Sequence, residues 1–487
     1  MKKKILLSLL IAFMVLCIIF LMQGRMPPPD DGDFSEDNSF EISGDSVEIS
    51  DGLPSPGPSS TEYNNVICFD RQFFGNNETY GIFDFSMPVV GTPRVVVFVI
   101  DFLDNDPDEF IFSVSDIEKQ FFDMSRINEP VEYHPADDVW VIDYYSVRDF
   151  FYRSSYGKLD ITGDVIHYIT QKPDNEYENW FDLMDEVMEI AGAEDALDWT
   201  LYDTSGTGYV DGVFFVLRGF PTGRVWFGDM ALMGGHEMYV RDGIIIPQAA
   251  FVVGRGYFSA IYSMIHEAIH IMGLGDIRLG NNLNPRGTGA STILDSITQG
   301  LGDLHGIAKY IFGWIEPIHI DTTGETQVIF KSFSDYPQIA IIHPRGDKDN
   351  SNWFVVEYIT STNNNFHFGE NVSIYPPLAP GGGLRIWRSS MNPEYYANPF
   401  DLHPPYIYLE AVHYHDRGDD IHGLWDHFFY SGDSFTPHTE LNSNFPKSFY
   451  EDNGIKTMGN LSCSGIYIEN IVIESGTASF TVKIHVD

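Results

Sequence analysis

The stretch Tyr257–Asp276, YFSAIYSMIHEAIHIMGLGD, decides how the chain reads. Its apolar residues Ile261, Met264, Ile265, Ala268, Ile269 and Met272 recur at helical spacing and give one stripe to bury. Ser259 reads as the N-cap and Gly273 as the stop. Between them stand His266, Glu267 and His270, the pattern H-E-x-x-H. Residues four apart on a helix share a face, one turn up. Two imidazoles so placed can hold one zinc ion, and Glu267 beside them can take a proton from water on the metal.

The bland alternative is a buried helix that matches five letters by accident, in a chain with 16 His. The residues beyond the motif argue against it. Gly273 follows the second His by three and Asp276 follows it by six. Glycine permits the left-handed turn by which a chain leaves a helix and doubles back. Asp276 then returns as an oxygen ligand. Three protein ligands and an open fourth position make a catalytic zinc, not a structural one.

Outward from the helix, Asn281–Gly289 is a polar loop, and Asp295–Gly300 is placed to run beneath the metal as a floor. His305 is a weaker ligand candidate than Asp276, and Gly306–Phe312 reads as a short helix. Upstream, strand and helix signals alternate. Arg94–Phe102 and Tyr209–Leu217 are short, β-branched and apolar, as buried strands are. Asp116–Met124, Val147–Lys158 and Asn179–Leu197 read as helices, and Leu159–Ile169 as a strand or hairpin. Alternation of this kind predicts an α/β (α+β) domain over residues 63–316. Within it, DTSGTGYVD over Asp203–Asp211 admits two readings. Asp203, Ser205 and Asp211 offer oxygens for Ca2+, though Ser205 and Thr207 stand where stronger loops carry acids. The other reading is a Gly-rich turn into a strand.

Downstream of residue 316 the pattern changes. QVIFKSF, QIAIIH, NWFVVEYI, GLRIWR, YIYLEAV, GIYIENIVI and ASFTVKIHV are short strand-like runs separated by Gly, Asn, Asp and Pro. That predicts an all-β, sandwich-like domain over residues 317–487. His413 and His415 share a face of one run, and with His422 and His427 they are either a second metal site or histidines without metal.

At the other end, Lys2–Lys4 precede an apolar run from Ile5 to Met22. Residues 1–24 therefore read as an export signal, cleaved or retained as a membrane anchor. Residues 25–62 form an acidic, Pro- and Ser-rich stretch with little to bury, a disordered linker or a pro-segment. Cys68 and Cys463 lie outside the apolar run. In an oxidising compartment they either pair as a disulfide or stay as two buried thiols. A third reading makes Cys68 a thiolate that blocks the zinc in a latent form. The chain carries 28 basic and 70 acidic residues, a net charge of −42. So acidic a surface repels nucleic acid and anionic lipid, which excludes the former as a partner. Membrane contact is left to the N-terminal segment.

Three passages resemble the immune-inhibitor-A-type metalloproteases, the M6 peptidase family, within or beside the metzincins. They are HEAIHIMGLGD (His266–Asp276), VRDFFYRSSYGKLDITGDV (Val147–Val165) and YDTSGTGYVDGV (Tyr202–Val213). Weaker echoes lie in AKYIFGW, NWFVVEY, GGGLRIWR and SGIYIENI. The resemblance implies a metzincin-like catalytic domain and a secreted or surface-anchored zinc endopeptidase acting on proteins and peptides outside the cell. It implies His266, His270 and Asp276 as zinc ligands and Glu267 as general base. Metzincin-like enzymes carry a methionine in the turn under the zinc, and the similar segment here has Ile297. Isoleucine keeps the floor apolar at similar volume. The long pro-domain common in the family is missing or reduced to the acidic linker. The rival reading is an exported adhesin or binding protein on a peptidase scaffold that has lost turnover. Retention of Glu267 favours the enzyme.

Overall fold

The strand Arg94–Asp101 (β1) is buried along all of its length but its first residue. Its side chains alternate between two cores. Val95, Val97 and Val99 enter one, and Val96, Phe98 and Ile100 the other. A strand covered on both faces is apolar throughout, which is why RVVVFVID stands out in the sequence.

The computed structural model describes residues 86–105, 112–125, 133–136, 139–142, 146–218, 230–232, 239–253, 257–274, 302–343, 352–368, 381–390, 406–410, 428–437, 445–446, 449–452, 455–458, 461–462, 464–474 and 476–485. Met1–Met22, the linker, Cys68, Asp276, Ile297, His413, His415, His422, His427 and Cys463 lie outside them. Among the described residues no helix is long and apolar enough to cross a membrane.

After β1 come α1 (Val114–Phe122), α2 (Val147–Ser154), β2 (Thr162–Ile169), α3 (Trp180–Ile190) and β3 (Val213–Leu217). They are followed by β4 (Met230–Leu232), β5 (Ala249–Val253), α4 (Tyr257–Ile271) and α5 (Gly306–Ile311). The strands form one sheet in the order β2-β1-β3-β5-β4. The first four run parallel and β4 runs antiparallel at the edge. On one face α3 covers the sheet through Trp180, Leu183, Met184, Val187 and Met188. On the other lie α1, α2 and α4.

The remaining chain adds β6 (Ile318–Ile320), β7 (Gly324–Lys331), β8 (Ala340–Ile342), β9 (Asn352–Ile359), β10 (Gly383–Ser390), β11 (Tyr406–Glu410), β12 (Ile466–Glu474) and β13 (Thr477–Ile484). Every one of the seven strand-like runs holds a strand. A second sheet has the order β6-β8-β9-β10-β11, and a third has β7-β13-β12. Their facing sides share Val328, Phe330, Phe354, Val356, Ile386, Ile468, Phe480 and Val482. The architecture is thus mixed α/β, with several sheets and few helices.

The opposite side of the second sheet packs on the helices. Ile341, Trp353, Val355 and Trp387 share a core with Ile265 and Ile269 of α4 and Ile307 of α5. The switch from helices to strands at residues 316–317 therefore falls inside one continuous core. Charge is buried at that seam as well. Lys309 donates to Asp303 at 2.6 Å, with the two side chains 0% and 2% exposed. Asp303 also accepts from Ser154 of α2. Arg385 of β10 pairs with Glu357 of β9 at 2.6 Å, and Glu357 accepts the backbone N–H of Gly306 at the start of α5. Paired this way the charges are tolerated, whereas either one alone is costly.

Local boundaries follow the caps. Helix α1 begins two residues earlier than the sequence reading. Ser113 accepts from the Asp116 N–H at 3.1 Å, and Asp116 accepts from the Ser113 N–H at 2.9 Å, a reciprocal capping box. Helix α3 starts after Asn179 as expected but stops at Ile190. Ala193–Leu197, read as its continuation, is a turn beyond Gly192. Residues 159–169 give a strand and no hairpin, because β2 pairs parallel with β1.

Candidate metal centre

Helix α4 follows β5 in the chain and packs on β5 and β4. Met264, Ile265, Ala268, Ile269 and Met272 are 0% exposed, so the stripe predicted from spacing is buried, and Ser263, His266, Glu267 and Ile271 are buried beside it. Burying each large side chain contributes about 1.5–3 kcal/mol, which fixes the helix's rotation and hence its polar residues. Ser259 is inside the first turn and does not cap it, since the helix begins at Tyr257.

The C-terminal end is built as predicted. Gly273 has φ +107°. Its N–H donates to His270 O at 2.9 Å, and the Leu274 N–H donates to Ile269 O at 3.2 Å. These two bonds are the Schellman closure, which needs a residue without a Cβ at the turn. The Met87 N–H donates to Ile271 O at 2.8 Å and ties the helix end to the segment that leads into β1.

His266 and His270 face each other just above that end. Their Nε2 atoms are 3.1 Å apart, and the rings stand at 86°. A carboxylate oxygen of Glu267 lies within 4.8 Å of the ligand nitrogens of both. Glu267 is 5% exposed and His266 9%. The Tyr262 ring stacks on His266 at 5.8 Å between centroids.

The arrangement fits a tetrahedral metal. With Zn–N near 2.0–2.1 Å, two ligand nitrogens are expected about 3.3 Å apart. His270 Nδ1 lies 2.7 Å from Leu274 O. A carbonyl can only accept, so Nδ1 carries the proton and Nε2 presents its lone pair, the tautomer a metal requires. His270 also stands in the last turn of α4, where the helix dipole favours a cation. The structure thus brings together His266, Glu267 and His270, and Asp276 and Ile297 lie outside the described residues. Sequence reasoning misses Leu274 O, because a backbone carbonyl carries no residue signature.

His305, the weaker candidate, caps α5 and accepts from the Ala308 N–H at 3.1 Å. Burial pushes its pKa down to about 3, with the Arg385 and Lys309 cations adding to the shift.

The candidate calcium loop is folded on itself. Asp203 accepts from the Thr207 and Gly208 N–H groups at 2.9 and 2.8 Å, and Ser205 Oγ approaches it at 3.4 Å. Asp211 accepts from the Arg94 N–H at 2.8 Å and from Thr204 Oγ1 at 2.7 Å. Burial pushes Asp211 up to about 6, against the pull of those bonds. Gly206 and Gly208 have φ +68° and +84°, as the Gly-rich turn reading requires.

Comparison of the chain with known protein families finds no match, and comparison with curated proteins finds none either.

Proposed function

We propose that the chain is an exported zinc-dependent endopeptidase with a metzincin-like catalytic part and a β-rich C-terminal part. His266, His270 and Asp276 hold the metal, and Glu267 is the general base. The observation that carries this reading is the pair of Nε2 atoms 3.1 Å apart beside a buried Glu267 carboxylate. When bound, zinc supplies a Lewis acid that acidifies water and polarises a peptide carbonyl.

The chain's own groups supply the rest. Leu274 O fixes the His270 tautomer. Glu267 takes the proton from the attacking water and returns it to the leaving amine. Among the described residues β4 has no strand on its outer side, and α4 packs on β4 and β5. An extended substrate can add to such an edge through backbone hydrogen bonds. The N-terminal segment exports the chain or anchors it to the outer face of the membrane. Calcium in the Asp203–Asp211 loop is an accessory to this reading.

The test is hydrolysis of casein by the purified chain, with and without a chelator, beside Glu267→Ala. Zinc-dependent cleavage lost in the variant supports the enzyme. Zinc retained with no cleavage of any unfolded protein overturns it in favour of an exported binding protein. Metal content of Asp276→Ala tests the third ligand.

A further inference from the structure

Tyr262, His266 and His270 stand in one row on α4. They are spaced four apart in the sequence, so they share a face, one turn above another. A helical side chain leans back over the preceding turn, which lays the His266 ring against Tyr262 and the His270 ring against His266. The two contacts differ in kind. His266 meets His270 edge-on, at 86° and 4.6 Å between centroids. Tyr262 covers the face of His266, at 26° and 5.8 Å, an offset stack. Tyr262 is itself partly buried and packs against the core beneath α4, so it is held from behind.

We propose that Tyr262 is a positioning residue of the metal centre: its ring fixes the orientation of the His266 imidazole and thereby raises the affinity for zinc. The proposal rests on the metal-centre reading given above. An imidazole rotates around χ1 and χ2, and rotation around the Cβ–Cγ bond swings Nε2 away from the ion. For His270 that rotation is restrained within the ring plane, by the hydrogen bond from Nδ1 to Leu274 O at 2.7 Å. For His266 it is restrained from above the ring, because turning the imidazole drives its edge into the face of Tyr262. Ordering one side chain before the ion arrives is worth about three- to tenfold in affinity. The same face acts electrostatically as well. An ion on Nε2 draws positive charge onto the imidazole, and the electron-rich face of an aromatic ring attracts that charge. Both effects need the ring and neither needs the hydroxyl. Phenylalanine therefore substitutes for Tyr262, and an aliphatic side chain does not.

The experiment uses the full, tag-free chain, stripped of metal and titrated with zinc chloride in competition with a chromophoric chelator. Tyr262→Phe and Tyr262→Leu are measured beside the unaltered protein. Tyr262→Phe is expected to keep the zinc affinity. Tyr262→Leu keeps an apolar, helix-favouring side chain at the position, so its metal-free melting temperature is expected to stay close to that of the unaltered chain. Its zinc affinity is expected to fall about three- to tenfold. Unaltered affinity in Tyr262→Leu overturns the proposal. So does an equal loss in Tyr262→Phe, which would assign the effect to the hydroxyl. If Tyr262→Leu does not fold, the proton spectrum of the zinc-loaded unaltered chain decides. His266 ring protons moved upfield by the tyrosine ring current support the contact, and unshifted ones overturn it. An unaltered chain that holds no zinc overturns the metal-centre reading itself, and this inference with it.

Discussion

Replacing Gly273 by alanine separates the architecture of the helix end from the chemistry of the metal. Gly273 has φ +107°, where a Cβ costs about 1–2 kcal/mol. The chain relieves that strain by relaxing to negative φ. Relaxation swings Leu274 away and breaks its N–H bond to Ile269 O at 3.2 Å. Leu274 O then no longer sits 2.7 Å from His270 Nδ1. Loss of such an outer partner lowers metal affinity about 10- to 100-fold, or about 1.4–2.7 kcal/mol. Gly313 supplies the control. It has φ +71° and closes α5 by the same two bonds, Gly313 N–H to Tyr310 O at 2.9 Å and Trp314 N–H to Lys309 O at 2.8 Å. A Cβ there meets no atom within 4 Å, so Gly313→Ala reports backbone strain alone. Urea unfolding measures stability, and competition with a chromophoric chelator measures zinc affinity. Both variants are expected to lose stability, and only Gly273→Ala to lose zinc affinity. Wild-type zinc affinity in Gly273→Ala would refute the argument that the helix stop sets the His270 tautomer.

Three further outcomes follow from the same contacts. Glu267→Gln is expected to lower kcat on casein by about 10²–10⁴-fold with zinc content unchanged, as loss of a general base requires. Lys309→Met leaves the buried Asp303 carboxylate without its cation at 2.6 Å and is expected to cost about 3–5 kcal/mol in urea unfolding. Asp211 has its pKa raised from 3.8 to about 6 in the folded chain. The native state thus binds more protons than the unfolded one between those values, and stability contributed by this group is full below pH 4 and lost as pH rises through 6. The loss is about 3 kcal/mol at most, absent in Asp211→Asn, and reversed by millimolar calcium if the loop binds it. Unfolding curves at several pH values check all three statements.

Elements whose residues carry one clear period are legible in the sequence. The stripe of α4 announces its buried face by spacing, and the runs RVVVFVID of β1 and NWFVVEYI of β9 announce strands buried on both faces by being apolar almost throughout. Gly273 is legible because only one residue type suits its backbone. Other features are not. The strand β5, AAFVV, is short and begins with two alanines, which carry little strand preference. Ser259 reads as a cap because a serine in the first turn and a serine at the cap look alike in sequence. The break of α3 at Gly192 is hidden by the helix-favouring Ala193–Leu197 that follows it. In the site, the two imidazoles and Glu267 are legible, since their chemistry depends on residue type. Leu274 O depends on where a backbone turns, and the His319–His343 contact, outside the site, depends on the register between two strands. Neither leaves a local mark.

The seam between helices and strands carries the last consequence. Sequence pattern divides the chain at residues 316–317, yet the core beneath α4 and α5 is completed from beyond that point by Phe333, Ile339, Ile341, Trp353, Val355, Ile359 and Trp387. Each is at most 1% exposed. Losing contact with seven such side chains, at about 1.5–3 kcal/mol each, removes roughly 10–20 kcal/mol, as much as the whole stability of an ordinary domain. Glu357, which accepts the Gly306 N–H and pairs with Arg385, would go as well. A piece ending at residue 316 is therefore expected to lack fixed tertiary packing, with weak near-ultraviolet dichroism, dye binding and no cooperative unfolding. It should hold zinc only weakly, because the helix that orients His266 and His270 is no longer packed on its outer side. A piece 63–316 that unfolds cooperatively and keeps wild-type zinc affinity would show that the β-rich part is an attachment to the metal centre and not a wall of it.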